Sequence, residues 1–261
     1  MNLKQELTDI AKKAQESWRF MLNVSSATKN TILKEMASSL MGKKDFILKA
    51  NKKDIAKAKV LGKSSAFIDR LTLNDKRIKE MSDSLTEIAR LSDPVGEVIK
   101  AWTRPNGLWI HKVRVPIGVI AIIYESRPNV TSDCIGLSLK SANSVILRGG
   151  SETLNSNLAI CQILKEAIKK HKIPESIINI IATTNRRAVD ILLKLNNYID
   201  LVIPRGGEGL IERVLSLSRI PVIKHYKGIC HIYIDEWADL NMAENICFNA
   251  KVQRPGVCNA M

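Results

Sequence analysis

Cys258 lies in the segment Gln253-Arg254-Pro255-Gly256-Val257-Cys258-Asn259-Ala260, and Met261 follows as the last residue. A thiol near an arginine, in a Pro-Gly loop, is placed to act as a nucleophile, because the thiolate is the reactive form and a nearby cation lowers its pKa. The competing role for a lone cysteine is a small buried hydrophobe. That role suits Cys134, Cys161, Cys230 and Cys247, each set in an apolar strand or helix pattern. The histidines at 111, 171, 225 and 231 are scattered, so spacing gives no support for a Cys-His hydrolase. A site needs walls on all sides, and no residue after Met261 builds the far one. The expectation is an incomplete molecule.

Three further loops are richer than folding requires. Tyr124-Glu125-Ser126-Arg127-Pro128-Asn129-Val130-Thr131 follows a fully apolar run and offers an arginine, an asparagine and hydroxyls before a helix. Such donors can hold an anion or a developing oxyanion; they can equally cap the helix. In Leu147-Arg148-Gly149-Gly150-Ser151-Glu152, two glycines let a ligand approach the backbone, and Ser151 can cap a helix whose N-terminus favours an anion. Ile203-Pro204-Arg205-Gly206-Gly207-Glu208-Gly209 repeats the logic of strand, arginine, glycines and helix start. Neither loop matches the dinucleotide fingerprint or a Walker A loop, and Gly-Gly is common in turns. Two such loops, each beside an arginine, point to a nucleotide phosphate site.

The elements that must position these loops follow from periodicity. Residues 1–96 read as helices: Leu3, Leu7, Ile10, Ala14 and Trp18 recur at helical spacing, as do Ile32, Met36 and Leu40. A third helix is expected over 44–59, and one long helix through Ile78, Leu85 and Ile88 to Leu91. Apolar alternation on both sides of Pro105-Asn106-Gly107 predicts a β-hairpin at 97–115, a flap or an arm that pairs with another chain. Strands are expected at 117–123, 144–147, 177–182, 201–204, 222–223 and 230–234. Helices are expected at 133–142, 153–171, 185–195, 207–217 and 240–252. This alternation predicts an α/β fold, a Rossmann-like parallel sheet with helices on both faces and ligands at the carboxyl ends of its strands. The domain reading is a helical part (1–96), the hairpin (97–115), a nucleotide-binding sheet (116–236) and the start of a second domain carrying Cys258 (237–261).

Forty Lys and Arg against 26 Asp and Glu give a net charge of +14, which raises nucleic acid, membrane surface and anionic small molecules as partners. The basic residues are spread out and do not alternate with aromatics as an RNA-binding sheet would need. Five widely spaced cysteines without C-x-x-C favour neither zinc nor a disulfide framework, so no metal is expected. The acidic start Met1-Asn2-Leu3-Lys4-Gln5-Glu6 lacks a signal-peptide h-region, and no apolar run approaches a membrane span. The expected location is the reducing cytoplasm.

Taken in order, Val115-Pro116-Ile117-Gly118-Val119-Ile120, the Tyr124–Thr131 loop, Leu147-Arg148-Gly149-Gly150-Ser151-Glu152, Ile203-Pro204-Arg205-Gly206-Gly207 and Val252-Gln253-Arg254-Pro255-Gly256-Val257-Cys258-Asn259-Ala260 closely resemble the γ-glutamyl phosphate reductase family. That family comprises the glutamate-5-semialdehyde dehydrogenases of proline biosynthesis, within the aldehyde dehydrogenase superfamily. The resemblance runs through most of the chain and implies an aldehyde dehydrogenase-like fold and reduction of L-glutamyl 5-phosphate by NADPH. By resemblance, Cys258 forms the thioester, and its backbone N–H with a polar group of the 126–129 loop, Ser126 or Asn129, holds the oxyanion. Arg127 and Arg254 would meet the anionic substrate. Arg148, Gly149, Gly150, Ser151, Arg205, Gly206, Gly207 and Glu208 would meet the cofactor.

Oxidising aldehyde dehydrogenases carry a Glu-Leu-Gly-Gly-Lys segment whose glutamate activates water. The corresponding stretch here, Ile223-Lys224-His225-Tyr226-Lys227-Gly228, has no carboxylate, which fits exchange of the acyl group with phosphate. NAD-preferring members place an acid against the adenine ribose. Here Arg148 and Ser151 suit a 2′-phosphate, with Glu152 as the discordant neighbour. Family members continue well past the cysteine, so residues 1–261 alone are expected to show little activity and to expose apolar surface. The resemblance also implies a homo-oligomer and glutamate 5-kinase as a pathway partner. The competing functions are an acylating aldehyde dehydrogenase with another acyl donor, a non-catalytic nucleotide-binding remnant and a nucleic-acid binder; no recognition motif supports the last.

Overall fold

The computed structural model describes residues 2–224, 228–253 and 260–261. Arg254, Cys258 and residues 225–227 therefore lie outside the described residues. The chain divides into two compact units, residues 1–224 and 225–261.

The first unit opens with helices whose ends are set by side-chain caps. In α1 (Leu3–Trp18), Asn2 Oδ1 accepts from Lys4 N at 2.7 Å, and Leu7, Ala11 and Ala14 form one buried face. Ser25 caps α2 (Ser26–Gly42), which buries Ile32, Leu33, Met36 and Leu40. The stripe of α3 (Lys44–Val60) mixes Ile47 and Ala58 with the buried polar residues Asn51 and Asp54.

The expected long helix through Ile78 is instead two, α4 (Ser65–Leu71) and α5 (Asp75–Arg90). The break is made by a residue distant in sequence. Asn51 Nδ2 donates to Leu71 O at 2.9 Å and Asn51 Oδ1 accepts from Leu73 N at 2.8 Å, satisfying groups a continued helix would have paired internally. Asn74 then caps α5, accepting from Arg77 N at 2.8 Å.

The predicted hairpin is present as β1 (Val98–Thr103) and β2 (Trp109–Val113), antiparallel with an irregularity between Val98 and Lys100. Its turn needs Gly107, whose φ is 82°, and closes through Gly107 N to Arg104 O at 2.9 Å. Both strands stand largely in solvent.

The parallel sheet consists of β3 (Val119–Tyr124), β4 (Ser144–Arg148), β5 (Ile178–Ile180) and β6 (Leu201–Arg205), in the order β5-β4-β3-β6. Both faces are covered, so its central strands are apolar throughout. Ile120, Ile122 and Tyr124 of β3 face a core built with α2, α5, α6 (Asn129–Lys140) and α7 (Leu154–Lys170). Val119, Ala121 and Ile123 face a second core with α1, α8 (Arg187–Leu192) and α9 (Glu208–Leu217). Burying one such isoleucine is worth about 1.5–3 kcal/mol relative to exposing it.

Two strand expectations are corrected. Residues 222–223 reduce to a single parallel bridge, Val202 to Val222. Residues 230–234 form no strand, and Tyr233 is exposed there; no described element offers them a ladder.

In the second unit, Asp239 caps α10 (Leu240–Phe248), which runs on as a wider π-type turn over Asn249–Gln253. None of its side chains is buried, and Leu240, Met242, Ile246 and Phe248 are exposed. The buried role expected for four cysteines holds for Cys161 alone. Cys134 is half-buried against the core, and Cys230 and Cys247 are half-buried outside it. Among the described residues, no helix is long and apolar enough to cross a membrane, and no group of His, Cys, Asp and Glu could hold a metal ion.

Candidate cofactor site

From β3 the chain steps to β4 and then β5 on one side, and returns to β6 on the other. Strand order therefore reverses at β3, and the carboxyl ends of β3, β4 and β6 border the crevice where ligands bind in open parallel sheets. The register places Arg148 opposite Ile123 and Arg205 opposite Tyr124. The three loops singled out in the sequence thus leave adjacent strands at the same edge.

The loop after β4 is tightly built. Gly149 is closed in by Asn157 and Tyr124: a Cβ there would lie 2.2 Å from Asn157 Nδ2 and 3.2 Å from the Tyr124 ring. A Cβ at Gly150 would lie 2.7 Å from Ser126 Oγ. Packing alone therefore requires glycine at 149. Tyr124, deep in the core, shares a 2.7 Å hydrogen bond with Thr131 Oγ1, which donates to Asn157 Oδ1 at 3.0 Å. Asn157 Nδ2 donates to Thr153 Oγ1 at 2.9 Å, and Thr153 Oγ1 donates to Gly150 O at 3.0 Å. Burial, eased by Thr131, pushes the Tyr124 phenol far above its ordinary value, so it stays a neutral donor. This network joins β3, α6 and α7 to the loop.

A second anchor comes from α3. The buried Asp54 carboxylate sits on the first turn of α7, accepting from Ser156 N at 2.8 Å, Ser156 Oγ at 2.6 Å, and Asn155 N and Nδ2 at 3.2 and 2.7 Å. A carboxylate there satisfies helix-end amides and the positive end of the dipole.

Charge gathers on this rim. Glu152 Oε2 accepts from Ser151 Oγ at 3.0 Å and from Ser126 Oγ at 3.3 Å, while Oε1 pairs with Lys63 Nζ at 3.2 Å. Burial pushes the Glu152 carboxyl up, but its own backbone N–H, Lys63 and Ser151 outweigh that and hold it below its ordinary value. Arg148 is 9% exposed, donates to Gly149 O at 2.8 Å, and leaves its Nε without a hydrogen-bond partner among the described residues. Burial lowers its pKa, the Glu152 charge opposes that, and the Arg186 charge adds to it.

The loop after β6 is open by contrast. Arg205, Gly207 and Glu208 are exposed. Glu125 crosses to it: its N donates to Arg205 O at 3.1 Å and its Oε1 accepts from Gly207 N at 2.9 Å. Arg127 is exposed, and Asn129 begins α6 exposed, next to Asp133. Ser126 is buried.

The structure thus brings Ser126, Arg148, Gly149, Gly150 and Ser151 together, with Arg205, Gly206 and Gly207 across β3. Sequence reasoning passed over Lys63, Glu125, Tyr124, Asp54 and Asn157. A signal for Asp54 was present, since it is a charged residue on the apolar stripe of α3.

A model of the aldehyde dehydrogenase family matches residues 4–261. The chain is 56% identical over all 261 residues to γ-glutamyl phosphate reductase of Thermodesulfovibrio yellowstonii and 51% identical to that of Persephonella marina, covering 62% and 59% of those proteins. It superposes on 62% of the crystal structure of γ-glutamyl phosphate reductase from Thermotoga maritima, over 98% of this chain, with a TM-score of 0.90 and 49% identity. The Saccharomyces cerevisiae γ-glutamyl phosphate reductase gives a TM-score of 0.77 at 35% identity over 94% of this chain and 62% of its own length. The chain spans about three-fifths of the length of these relatives. With the family model matched over nearly its whole length and the sheet and rim arranged as described, the chain belongs to the aldehyde dehydrogenase family.

Proposed function

We propose that this chain is the cofactor-binding part of a γ-glutamyl phosphate reductase, together with the segment bearing its nucleophile. The reaction is reduction of L-glutamyl 5-phosphate to L-glutamate 5-semialdehyde with release of phosphate. The observation that carries the cofactor reading is Arg148: a nearly buried guanidinium with an unused Nε–H, beside Ser151, at the carboxyl end of a central strand. A buried unpaired donor on a cation favours an anionic ligand.

In this reading the Cys258 thiolate attacks the acyl carbon, the bond to the phosphate oxygen breaks, and phosphate leaves. The Cys258 N–H and either Ser126 or Asn129 stabilise the oxyanion that forms on attack. Arg127 and Arg254 attract the anionic substrate. NADPH, when bound, would supply the hydride for reduction of the thioester, with the Cys258 thiolate as leaving group and the aldehyde as product. Arg148 and Ser151 would hold the 2′-phosphate, with Gly149 and Gly150 beside them, and Arg205, Gly206, Gly207 and Glu208 would meet the rest of the cofactor. The hairpin, with Trp102, Trp109, Leu108 and Val115 exposed, suits an oligomer contact. A domain boundary near 236 and a cytoplasmic location belong to the same reading.

The test runs the reaction in reverse, in a protein of the relatives' full length carrying this chain. NADP+ reduction by L-glutamate 5-semialdehyde should require inorganic phosphate and vanish in Cys258→Ser. Turnover that proceeds equally without phosphate would overturn the assignment. Comparing Ser126→Ala with Asn129→Ala identifies the oxyanion donor as the one whose loss lowers kcat while cofactor affinity holds.

A further inference from the structure

Lys63 lies outside the strand-end loops, yet the fold delivers it to them. α3 ends at Val60, Gly62 takes the left-handed conformation at φ 63°, and Lys63 N returns to Ala58 O at 3.1 Å. This fixes the backbone of Lys63 just behind a helix C-terminus. Its ammonium is then held from two sides, by Glu152 Oε1 at 3.2 Å and by the Phe67 ring at 5.1 Å from the centroid. The Glu152 carboxylate has other donors in Ser126 and Ser151. It can therefore give up Lys63 and remain hydrogen-bonded.

Resting on the cofactor reading above, we propose that Lys63 is a specificity-determining residue: an incoming 2′-phosphate displaces the Glu152 carboxylate from the Lys63 ammonium and takes its place. The charges fit such an exchange. Lys63, Arg148 and Arg186 stand against Glu152, an excess of cation that suits a phosphate monoester close to dianionic at neutral pH. A ribose hydroxyl brings no charge to compete for Lys63, so an unphosphorylated cofactor leaves the ion pair closed. The discordant Glu152 then acts as a placeholder that penalises ligands unable to replace it.

The two partners make opposite predictions, which separates the proposal from a purely structural ion pair. Affinities of the chain for NADPH and NADH are measured by the change in nicotinamide fluorescence, with thermal melting of each variant as a check on folding. Lys63→Met should weaken NADPH about tenfold and leave NADH unchanged, Lys63→Arg should keep most of the NADPH affinity, and Glu152→Gln should strengthen NADPH severalfold by removing the competitor. Equal losses for both cofactors, or weaker NADPH binding in Glu152→Gln, would overturn the proposal while leaving the cofactor reading intact. Binding of neither cofactor by the unsubstituted chain would overturn both.

Discussion

The loops after β4 and β6 look alike as text, each an arginine followed by two glycines and a helix, but they are different objects in the fold. After β4, Arg148 is nearly buried, Gly149 is sealed by Tyr124 and Asn157, and the helix that follows is gripped from α3 by Asp54. After β6, Arg205 is exposed, a Cβ at Gly206 would lie 2.6 Å from the exposed Glu125 side chain and one at Gly207 an ordinary 3.5 Å from it, and the Glu125 carboxylate accepts from Gly207 N. The first loop is preorganised, its shape set by packing before any ligand arrives. The second borders the crevice with its polar groups in solvent. The difference lies in what stands behind each loop, which neither local sequence contains.

Substitutions can sharpen or break this contrast. The largest effect is expected at Asp54, where Asp54→Ala strands buried donors at the start of α7 and should cost about 3 kcal/mol in denaturant unfolding. An effect below about 1 kcal/mol would show that the first loop is not anchored from α3. Gly149→Ala forces a Cβ into Asn157 and should cost about 2 kcal/mol, whereas Gly207→Ala should fall within about 0.5 kcal/mol of the parent. Equal costs would remove the distinction. Tyr124→Phe deletes one buried hydroxyl from the network and should cost about 1 kcal/mol, read as a lower Tm with the fold retained.

The smallest effect concerns pH. Glu152 titrates below its ordinary 4.5 in the folded chain, so it binds its proton less readily when folded than when unfolded. The stability it contributes is present above pH 4.5 and is lost as pH falls through the folded value. Glu152→Gln should therefore lower stability modestly at neutral pH and flatten the acid limb below pH 4.5, the two profiles converging in acid. An unaltered acid limb would mean that Glu152 titrates alike folded and unfolded.

Much of the architecture was legible because hydrophobic period and turn chemistry are local signals. The apolar run expected as a strand over 117–123 is β3, buried along its length, and Pro105-Asn106-Gly107 marked the hairpin turn. What failed was non-local. The break between α4 and α5 is set by Asn51, twenty or so residues upstream, whose amide replaces helix bonds at Leu71 and Leu73. Residues 230–234 have strand composition, but composition supplies no ladder partner. In the site, Arg148 and Ser151 could be nominated because their types announce anion binding. Lys63 and Glu125 could not, since their roles depend on contacts made 89 and 82 residues away. Asp54 and Asn51 gave a readable clue as polar residues on a buried helical stripe.

The central claim, that the rim formed by the β3, β4 and β6 loops is a nucleotide cradle, is tested most directly by amide hydrogen exchange of the chain with and without NADPH. Exchange should slow at 148–153 and, more strongly, at 205–209, because the second loop starts open and has more to gain. Binding of NADPH that leaves both segments unchanged, or protection found only elsewhere in the chain, would contradict it.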